Sequence, residues 1–299
     1  MFKLIVGGGL LADLKKISGM GYIIFDNHMH LRTDGRFLNA VDMFLKAGGN
    51  SFNLVNLPDS RLPLDDYYSK LYSYTVRMSE IIKEERGISV PVTLGPYPLD
   101  YFRFRENGYD PIVEMKNGID LAAKLIEQGK ANALGEIGRP HFPAEPKIVD
   151  YCNEITEYAM SIASDLGSPL ILHNEDLNPE GYRFLEKMAD HASLQQSMLV
   201  KHHAIPEDFA IQTGLVRSVL ASRSNVRKIM NSGLRLLLET DYVDDPSLGW
   251  KVIPPDSVPK RVELILAEVT EWEKLLENIF LKEPIRLFGE DIFKRTTEP

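Results

Sequence analysis

The segment Tyr22-Ile-Ile-Phe-Asp-Asn-His-Met-His30 is an apolar run that ends in two histidines two residues apart. Aromatic and β-branched residues in such a run favour a strand, which we predict over residues 22–28. Side chains at positions i and i+2 of a strand lie on the same face. His28 and His30 therefore project to the same side, where both imidazoles can bind one metal ion.

Four more side chains that can bind metals stand at the C-terminal ends of other short apolar runs. They are Glu136, His173, His202 and Asp241. A single histidine in this position is more often a packing residue than a ligand. Six such residues at five separate strand ends are hard to attribute to chance, so the pattern indicates a metal-dependent enzyme.

The composition sets limits on size and partners. The chain has 299 residues, 44% of them hydrophobic, and a net charge of -9. This is enough for one large domain or two medium ones, and α/β barrels commonly run to about 250 residues as a single domain. No apolar stretch approaches the roughly 18 residues of a membrane span. The acidic balance argues against a broad basic footprint for duplex DNA.

A single cysteine, Cys152, excludes an intrachain disulfide. We expect a buried small side chain there and a reducing cytoplasm as the simplest location. The N-terminal residues 1–12 resemble a signal peptide faintly, but three glycines interrupt the apolar patch and no Ala-x-Ala-like end follows. We therefore expect residues 1–21 to be an extension packed on the folded chain.

Strand-like runs alternate with longer helical patterns along the chain. The predicted strands cover residues 22–28, 51–56, 88–94, 132–136, 169–173, 197–202, 215–220 and 234–240. The predicted helices cover residues 37–46, 66–85, 111–128, 147–166, 179–189, 223–231 and 258–288, with a short one opened by Pro206. This order predicts an α/β protein with the (β/α)8 fold of a TIM barrel. All six candidate ligands lie at the C-terminal ends of strands, where the active sites of such barrels are found.

The ligand series also resembles a known family. The segments are Asp26-Asn-His-Met-His30, Gly135-Glu-Ile-Gly138, His173, His202, Glu239-Thr-Asp241 and Arg286-Leu-Phe-Gly289. In order, spacing and strand placement they are similar to the TatD-related metal-dependent hydrolases (the TatD-like deoxyribonuclease family) of the amidohydrolase superfamily. The resemblance runs from Tyr22 to Gly289, so we assign residues 22–299 to one barrel domain.

The resemblance implies a binuclear metal site in the barrel mouth. His28, His30 and Asp241 would hold the first divalent ion, His173 and His202 the second, and Glu136 would be shared. The ions could be Zn²⁺, Mn²⁺, Mg²⁺, Co²⁺ or Ni²⁺, because imidazole and carboxylate ligands do not select one of them. Family members are hydrolases, and the best known are deoxyribonucleases that cleave phosphodiester bonds.

The expected chemistry follows from that site. Two ions lower the pKa of a shared water, and the resulting hydroxide attacks phosphorus or a carbonyl carbon. Glu136 and Asp241 are the predicted catalytic carboxylates, Asp241 as the group that orients the water and accepts its proton. The loops after the strands depart from the family pattern at Arg139-Pro140-His141, Asn174-Glu175-Asp176 and Tyr242. The substrate could therefore be single-stranded nucleic acid, or a small phosphoester, amide or lactone.

Several residues near the ligands allow two interpretations. His202 is preferred over His203 as a ligand because it aligns with the family position, which leaves His203 to contact substrate or the ligands. Arg139 either binds an anionic group of the substrate or pairs with Glu175 or Asp176. His141 and Tyr242 are further candidates for substrate contacts.

Other features favour plainer interpretations. Asp244-Asp245-Pro246 is predicted to be a solvated turn, and Arg32 faces either the site or solvent. Tyr97 and Trp250 lie in loops on the same side as the ligands and could stack on a base or ring, but loop aromatics more often fasten loops to the barrel, which is the role expected for Trp250. His191 is expected at the surface.

Two rival functions remain. The run Gly7-Gly-Gly9-Leu-Leu-Ala12, with Asp26 about 20 residues on, fits a dinucleotide-binding fingerprint but leaves the other ligands unexplained. A metal-binding protein without catalysis is the other alternative.

Overall fold

The computed structural model describes residues 17–230, 235–245, 247–248 and 252–293. Within them, nine parallel strands form one sheet in the order β8-β7-β6-β5-β4-β3-β2-β1-β9. The strands are β1 Phe25–His30, β2 Ser51–Val55, β3 Val92–Leu94, β4 Ala133–Gly138, β5 Leu170–His173, β6 Leu199–Ala204, β7 Val216–Leu220, β8 Leu236–Glu239 and β9 Tyr242–Val243. All eight predicted strands are present.

The sheet closes into a barrel through β9. This short strand starts shortly after β8 ends, and it pairs with β1 through Met29–Tyr242 and His30–Val243. Strand β8 itself pairs with β7 and packs against β1. The first and last strands thus become neighbours, and the predicted (β/α)8 fold is confirmed.

Helices occupy the connections between strands. They are α1 Leu38–Lys46, α2 Tyr67–Arg86, α3 Asp100–Glu106, α4 Pro111–Glu127, α5 Pro146–Leu166, α6 Pro179–His191, α7 Arg223–Ile229, α8 Ser257–Glu268, α9 Trp272–Glu277 and α10 Glu283–Phe288. Helix α4 begins at the residue that its sequence predicts: the Asp110 side chain accepts hydrogen bonds from the N–H groups of Ile112 and Val113, and Pro111 takes the first turn. Ser222 caps α7 in the same manner, through the N–H of Asn225.

Three local differences from the predicted elements have physical causes. Helix α3 is additional, seven residues long in the connection after β3, too short to show a helical period. Pro91 lacks an N–H, and β3 begins only after it. The predicted helix over residues 258–288 is divided into α8, α9, a π-helical turn Asn278–Lys282 and α10, with Val269 in an extended conformation after α8.

The core lies between the sheet and the surrounding helices, so most strand residues are buried on both faces. Cys152 on α5 is buried, as expected. Arg217 on β7 is also buried: its guanidinium donates to the carbonyl of Ile211 at 3.1 Å and lies over the Phe209 ring. A charged residue can therefore stand in this strand without interrupting it.

The assignment of residues 1–21 to an extension stays a prediction, because residues 1–16, including the glycine run 7–9, lie outside the described residues. Trp250 and Pro246 also lie outside them. In the part of the chain that the structure covers, no helix combines the length and the apolar character needed to span a bilayer.

Candidate metal centre

The six predicted ligands converge at the C-terminal mouth of the barrel around the Glu136 carboxylate. Glu136 Oε1 lies 2.7 Å from His202 Nε2, 3.2 Å from His28 Nε2 and 3.3 Å from His173 Nδ1. Glu136 Oε2 lies 3.7 Å from His30 Nε2. Asp241 closes the group, with its Oδ1 3.7 Å from His30 Nε2. We call these six residues the cage.

Irregular pairing aims the ligands into the mouth. The register between neighbouring strands shifts between Asp26 and Met29 in β1, between Leu134 and Ile137 in β4, and between Lys201 and Ala204 in β6. These intervals contain His28, Glu136 and His202. A bulge bends a strand and re-aims a side chain, so the ligands sit where the ladders are interrupted. Asp241 and His203 have positive φ angles of 48° and 50°, a conformation costly for residues other than glycine.

The spacing of donor atoms fits a metal ion. Two ligands of a tetrahedral ion at about 2.1 Å stand about 3.4 Å apart. His28 Nε2 and His30 Nε2 are 3.2 Å apart, and His173 Nδ1 and His202 Nε2 are 3.0 Å apart. Two triads of compatible donor atoms result, His28–His30–Asp241 and Glu136–His173–His202. Each holds imidazole and carboxylate, the donors that suit divalent transition metals.

The electrostatics also suit a cation. Burial opposes ionisation of Glu136, but the imidazoles of His202 and His28 hold its pKa well below the usual range. Burial likewise disfavours the His202 imidazolium, yet the Glu136 and Glu239 carboxylates raise its pKa to about 10. Burial lowers the pKa of His30 and His173. Without metal, the proton on His202 offsets part of the charge of the buried carboxylates, and a divalent cation can replace it.

Sequence reasoning missed Glu239 as a member of this group. It is fully buried, its Oε1 accepts the His203 N–H at 2.6 Å, and it lies 3.5 Å from His202 Nδ1. With His28 and His202 it forms a third set of compatible donors. A carboxylate behind a ligating histidine fixes the ring orientation. The signal was present in the sequence, because Glu239 and Asp241 repeat the i, i+2 spacing of His28 and His30.

Asp26 joins the first and last parts of the barrel. It accepts hydrogen bonds from the Thr240 N–H at 3.0 Å and the Thr240 hydroxyl at 2.7 Å. Burial raises its pKa to about 7. The dinucleotide alternative needs this carboxylate on a ribose hydroxyl, whereas here it is fully buried and occupied by Thr240.

The two adjacent histidines have different environments. His202 is buried in the cage, with its ring stacked on His28 at 4.4 Å between centroids. His203 is exposed at the mouth. Lys201 points the other way, and its ammonium donates to the carbonyls of Asn174 and His202.

Three further residues, His141, Arg139 and Tyr242, were predicted to contact substrate. His141 Nδ1 lies 3.3 Å from His173 Nε2, so it reaches the cage. Arg139 instead pairs with Glu175 at 3.2 Å and lies over the Phe184 ring, the structural alternative that the sequence left open. Tyr242 is buried, and its hydroxyl donates to Asp244. The structure does not bring Arg139 or Tyr242 into the cage.

The prediction of a solvated turn at Asp244 was wrong. Asp244 is fully buried and accepts the N–H groups of Arg32, Arg36 and Phe37 at 2.8–3.2 Å, so it fastens the loop after β1. His191 is at the surface as expected, 83% exposed, paired with Glu157.

A cavity of about 380 Å³ lies between the loops after β1 and β2 and helix α2, and none of the six cage residues lines it. Its wall carries Arg32, Asp34, Arg61 and Tyr74. Asp34 pairs with both arginines, at 2.9 Å and 2.6 Å, which joins the two loops.

The chain is similar to known proteins both in sequence and in fold. The model of the family described as TatD related DNase matches residues 25–289. An uncharacterized protein of Methanocaldococcus jannaschii, MJ1127, is 29% identical over 247 residues, which cover 77% of this chain and 85% of that protein.

Solved structures with the same fold include a TatD homolog, YjjV, from Escherichia coli K12 (TM-score 0.59, 16% identity, 89% of this chain and 97% of the other). Another is the TatD-like protein of Archaeoglobus fulgidus (TM-score 0.55, 16% identity, 85% and 99%).

Proposed function

This chain belongs to the TatD-related DNase family, and from that we propose that it hydrolyses phosphodiester bonds with the help of two divalent metal ions. The observation that carries the proposal is the cage. Its six side chains come from five strand ends, and Glu136 stands between the two ligand triads. The family and the fold support a metal-dependent hydrolase, and the phosphodiester is our choice of substrate.

The ligands divide between two positions. His28, His30 and Asp241 would hold one ion, His173 and His202 the other, and Glu136 would touch both, since its two oxygens face different histidines. Bound ions supply a water of lowered pKa and polarise the scissile group.

Asp241 is the proposed proton acceptor. Its side chain is 26% exposed, whereas those of His28, His30, Glu136 and His202 are at most 5% exposed. It is therefore the ligand that an entering water reaches most easily, and its carboxylate can orient that water and accept its proton.

A second candidate is a hydrolase of a small phosphoester, amide or lactone. It is favoured by the ion pair between Arg139 and Glu175, because the Arg139 guanidinium is then not available to bind an anionic group of the substrate. A long polyanion such as single-stranded DNA would gain little from that loop, while a small substrate needs only the cage.

One screen tests both candidates. The purified protein is stripped of metal, reloaded with Mn²⁺, Zn²⁺ or Mg²⁺, and its metal content is measured. It is then assayed on single-stranded DNA, bis(4-nitrophenyl) phosphate, phosphomonoesters, amides and lactones. Two metal equivalents with phosphodiester cleavage support the proposal. Cleavage of amides, lactones or phosphomonoesters alone would replace it with the second candidate.

A further inference from the structure

Tyr97 reaches into the mouth from the loop after β3. Its hydroxyl lies 3.4 Å from His173 Nε2, and the two rings meet nearly edge to face, with centroids 4.8 Å apart. The sequence allowed this aromatic residue either to stack on a substrate ring or, as the commoner role, to fasten a loop. A phenol beside a cage histidine can instead contact a substrate bound there.

The loop that carries Tyr97 is held by polar contacts at both ends. The Asp100 carboxylate accepts the Tyr97 N–H at 3.1 Å. Asn56 bonds both the N–H and the carbonyl of Gly95, at 2.8 Å and 3.1 Å. The hydroxyl is therefore positioned before any substrate arrives, which is the arrangement that a stabilising hydrogen bond requires.

The position of the proton on the His173 ring leaves the hydroxyl hydrogen of Tyr97 available for another hydrogen bond. His173 Nδ1 faces Glu136 and His202, so it is the nitrogen that would bind an ion. A neutral imidazole then carries its proton on Nε2, which can donate to the Tyr97 oxygen. A phenol that accepts one hydrogen bond still has its own O–H to donate.

Tyr97 and Asp241 stand close to opposite sides of the mouth. Asp241 follows β8 and Tyr97 follows β3. Around the ring of eight strands, β3 is three strands away from β8, counted through β1 and β2. In displacement at phosphorus, the attacking and leaving oxygens lie roughly in line. If Asp241 serves the attacking water, the group on the far side faces the leaving oxygen.

We propose that the Tyr97 hydroxyl donates a hydrogen bond to the leaving oxygen of the substrate, which makes Tyr97 a further catalytic residue. The inference rests on the proposed phosphodiesterase function. The water oxygen bonds to phosphorus, the bond to the leaving oxygen breaks, and its electron pair stays on that oxygen. Asp241 takes the proton of the water, and the leaving oxygen obtains its proton from solvent. Tyr97 keeps its proton and stabilises the developing charge.

The test compares Tyr97→Phe with the wild type, both loaded with Mn²⁺, on two substrates. Bis(4-nitrophenyl) phosphate has a leaving group that needs little help, and the dinucleotide d(TpT) has a poor one. We expect kcat to fall about tenfold on the first and about 100-fold on the second, with KM little changed, as for loss of one oxyanion donor. Metal content should be unchanged, and calorimetry should show inorganic phosphate binding about threefold to tenfold more weakly.

Control variants distinguish a catalytic Tyr97 hydroxyl from one that only supports His173. Tyr109→Phe removes a tyrosine hydroxyl that contacts Asp65 at the surface, and it should behave as wild type. Lower metal content in Tyr97→Phe, or equal losses on both substrates, would mean that Tyr97 only fastens His173 and would overturn the inference. The inference would also be overturned if kcat fell in a leaving-group-dependent manner in His141→Asn but not in Tyr97→Phe. If the wild type is active and Tyr97→Phe is equally active, the inference about Tyr97 is refuted but the proposed function stands. If the wild type is inactive on both substrates, both the proposed function and the inference are refuted.

Discussion

Replacing Asp100 by asparagine should remove a pH dependence from the stability of the barrel. Asp100 is buried at the start of α3, where its carboxylate accepts hydrogen bonds from the Tyr67 and Tyr68 hydroxyls and from the Tyr97 N–H. Burial nevertheless raises its pKa from the usual 3.8 to about 6. The folded protein therefore holds a proton on Asp100 at pH values where the unfolded chain has lost it.

The sign and size follow from linkage. Because the folded state binds more protons between pH 4 and pH 6, stability falls as pH rises through that window. Raising a carboxyl pKa from 3.8 to about 6 corresponds to about 3 kcal/mol, at about 1.4 kcal/mol per pKa unit. Asparagine cannot ionise, so it lacks this loss. The asparagine side chain leaves one of the hydrogen-bond donors around position 100 without an acceptor, which destabilises the variant by about 1–3 kcal/mol at every pH.

Urea unfolding from pH 4 to pH 7.5, with a chelator present so that metal binding does not contribute, measures the effect. The difference in unfolding free energy between Asp100→Asn and wild type should move in favour of the variant by about 2.5 kcal/mol across this range, since the remainder of the change falls below pH 4. Tyr68→Phe is the matched control: it keeps the carboxyl and removes a hydrogen bond that lowers its pKa, so its pH dependence should be steeper. Parallel curves for Asp100→Asn and wild type would refute the reasoning.

Four shorter predictions concern the cage and two residues next to it. Asp241→Asn should lose more in kcat, about 10²–10⁴-fold, than in metal content, because the proton acceptor is gone while His28 and His30 remain to hold the ion; full metal with full rate would contradict this. Glu136→Gln should bind at most one metal equivalent by elemental analysis, since the shared carboxylate contacts four histidines; two retained equivalents would show that it is not shared. In Gly138→Ala the new Cβ would collide with the His173 carbonyl, at a φ of 151°, so thermal unfolding should show a loss above about 2 kcal/mol, and an unchanged melting temperature would disprove the contact. His203→Asn should keep two metal equivalents because its ring is exposed, and loss of metal would identify His203 as a ligand.

The sequence was sufficient for the barrel because its signals are local. Each strand is a short apolar run followed by a helical period, and the mouth of the barrel gathers whatever polar residues end the strands. His28, His173 and Asp241 could be found in this way. None of these inferences required knowledge of which side chains meet.

The errors arose where the outcome depends on partners distant in sequence. Asp244 looks like a solvated turn until Arg32, Arg36 and Phe37 bring three N–H groups to it. Arg139 could face a substrate or Glu175, and only the packing of neighbouring loops selects Glu175. Glu239 was missed because the ligand series was complete without it, and its role depends on the bulge that turns the His203 N–H toward it.

The closure of the barrel by β9 also sets an order of events during synthesis. Met29 and His30 pair with Tyr242 and Val243, directly after Asp241, so the first ligand triad joins residues more than 200 positions apart. A growing polypeptide on the ribosome displays both N-terminal histidines long before this carboxylate is translated. The triad His28–His30–Asp241 is therefore complete only after the last strand has docked, and a nascent chain truncated before Asp241 lacks its carboxylate.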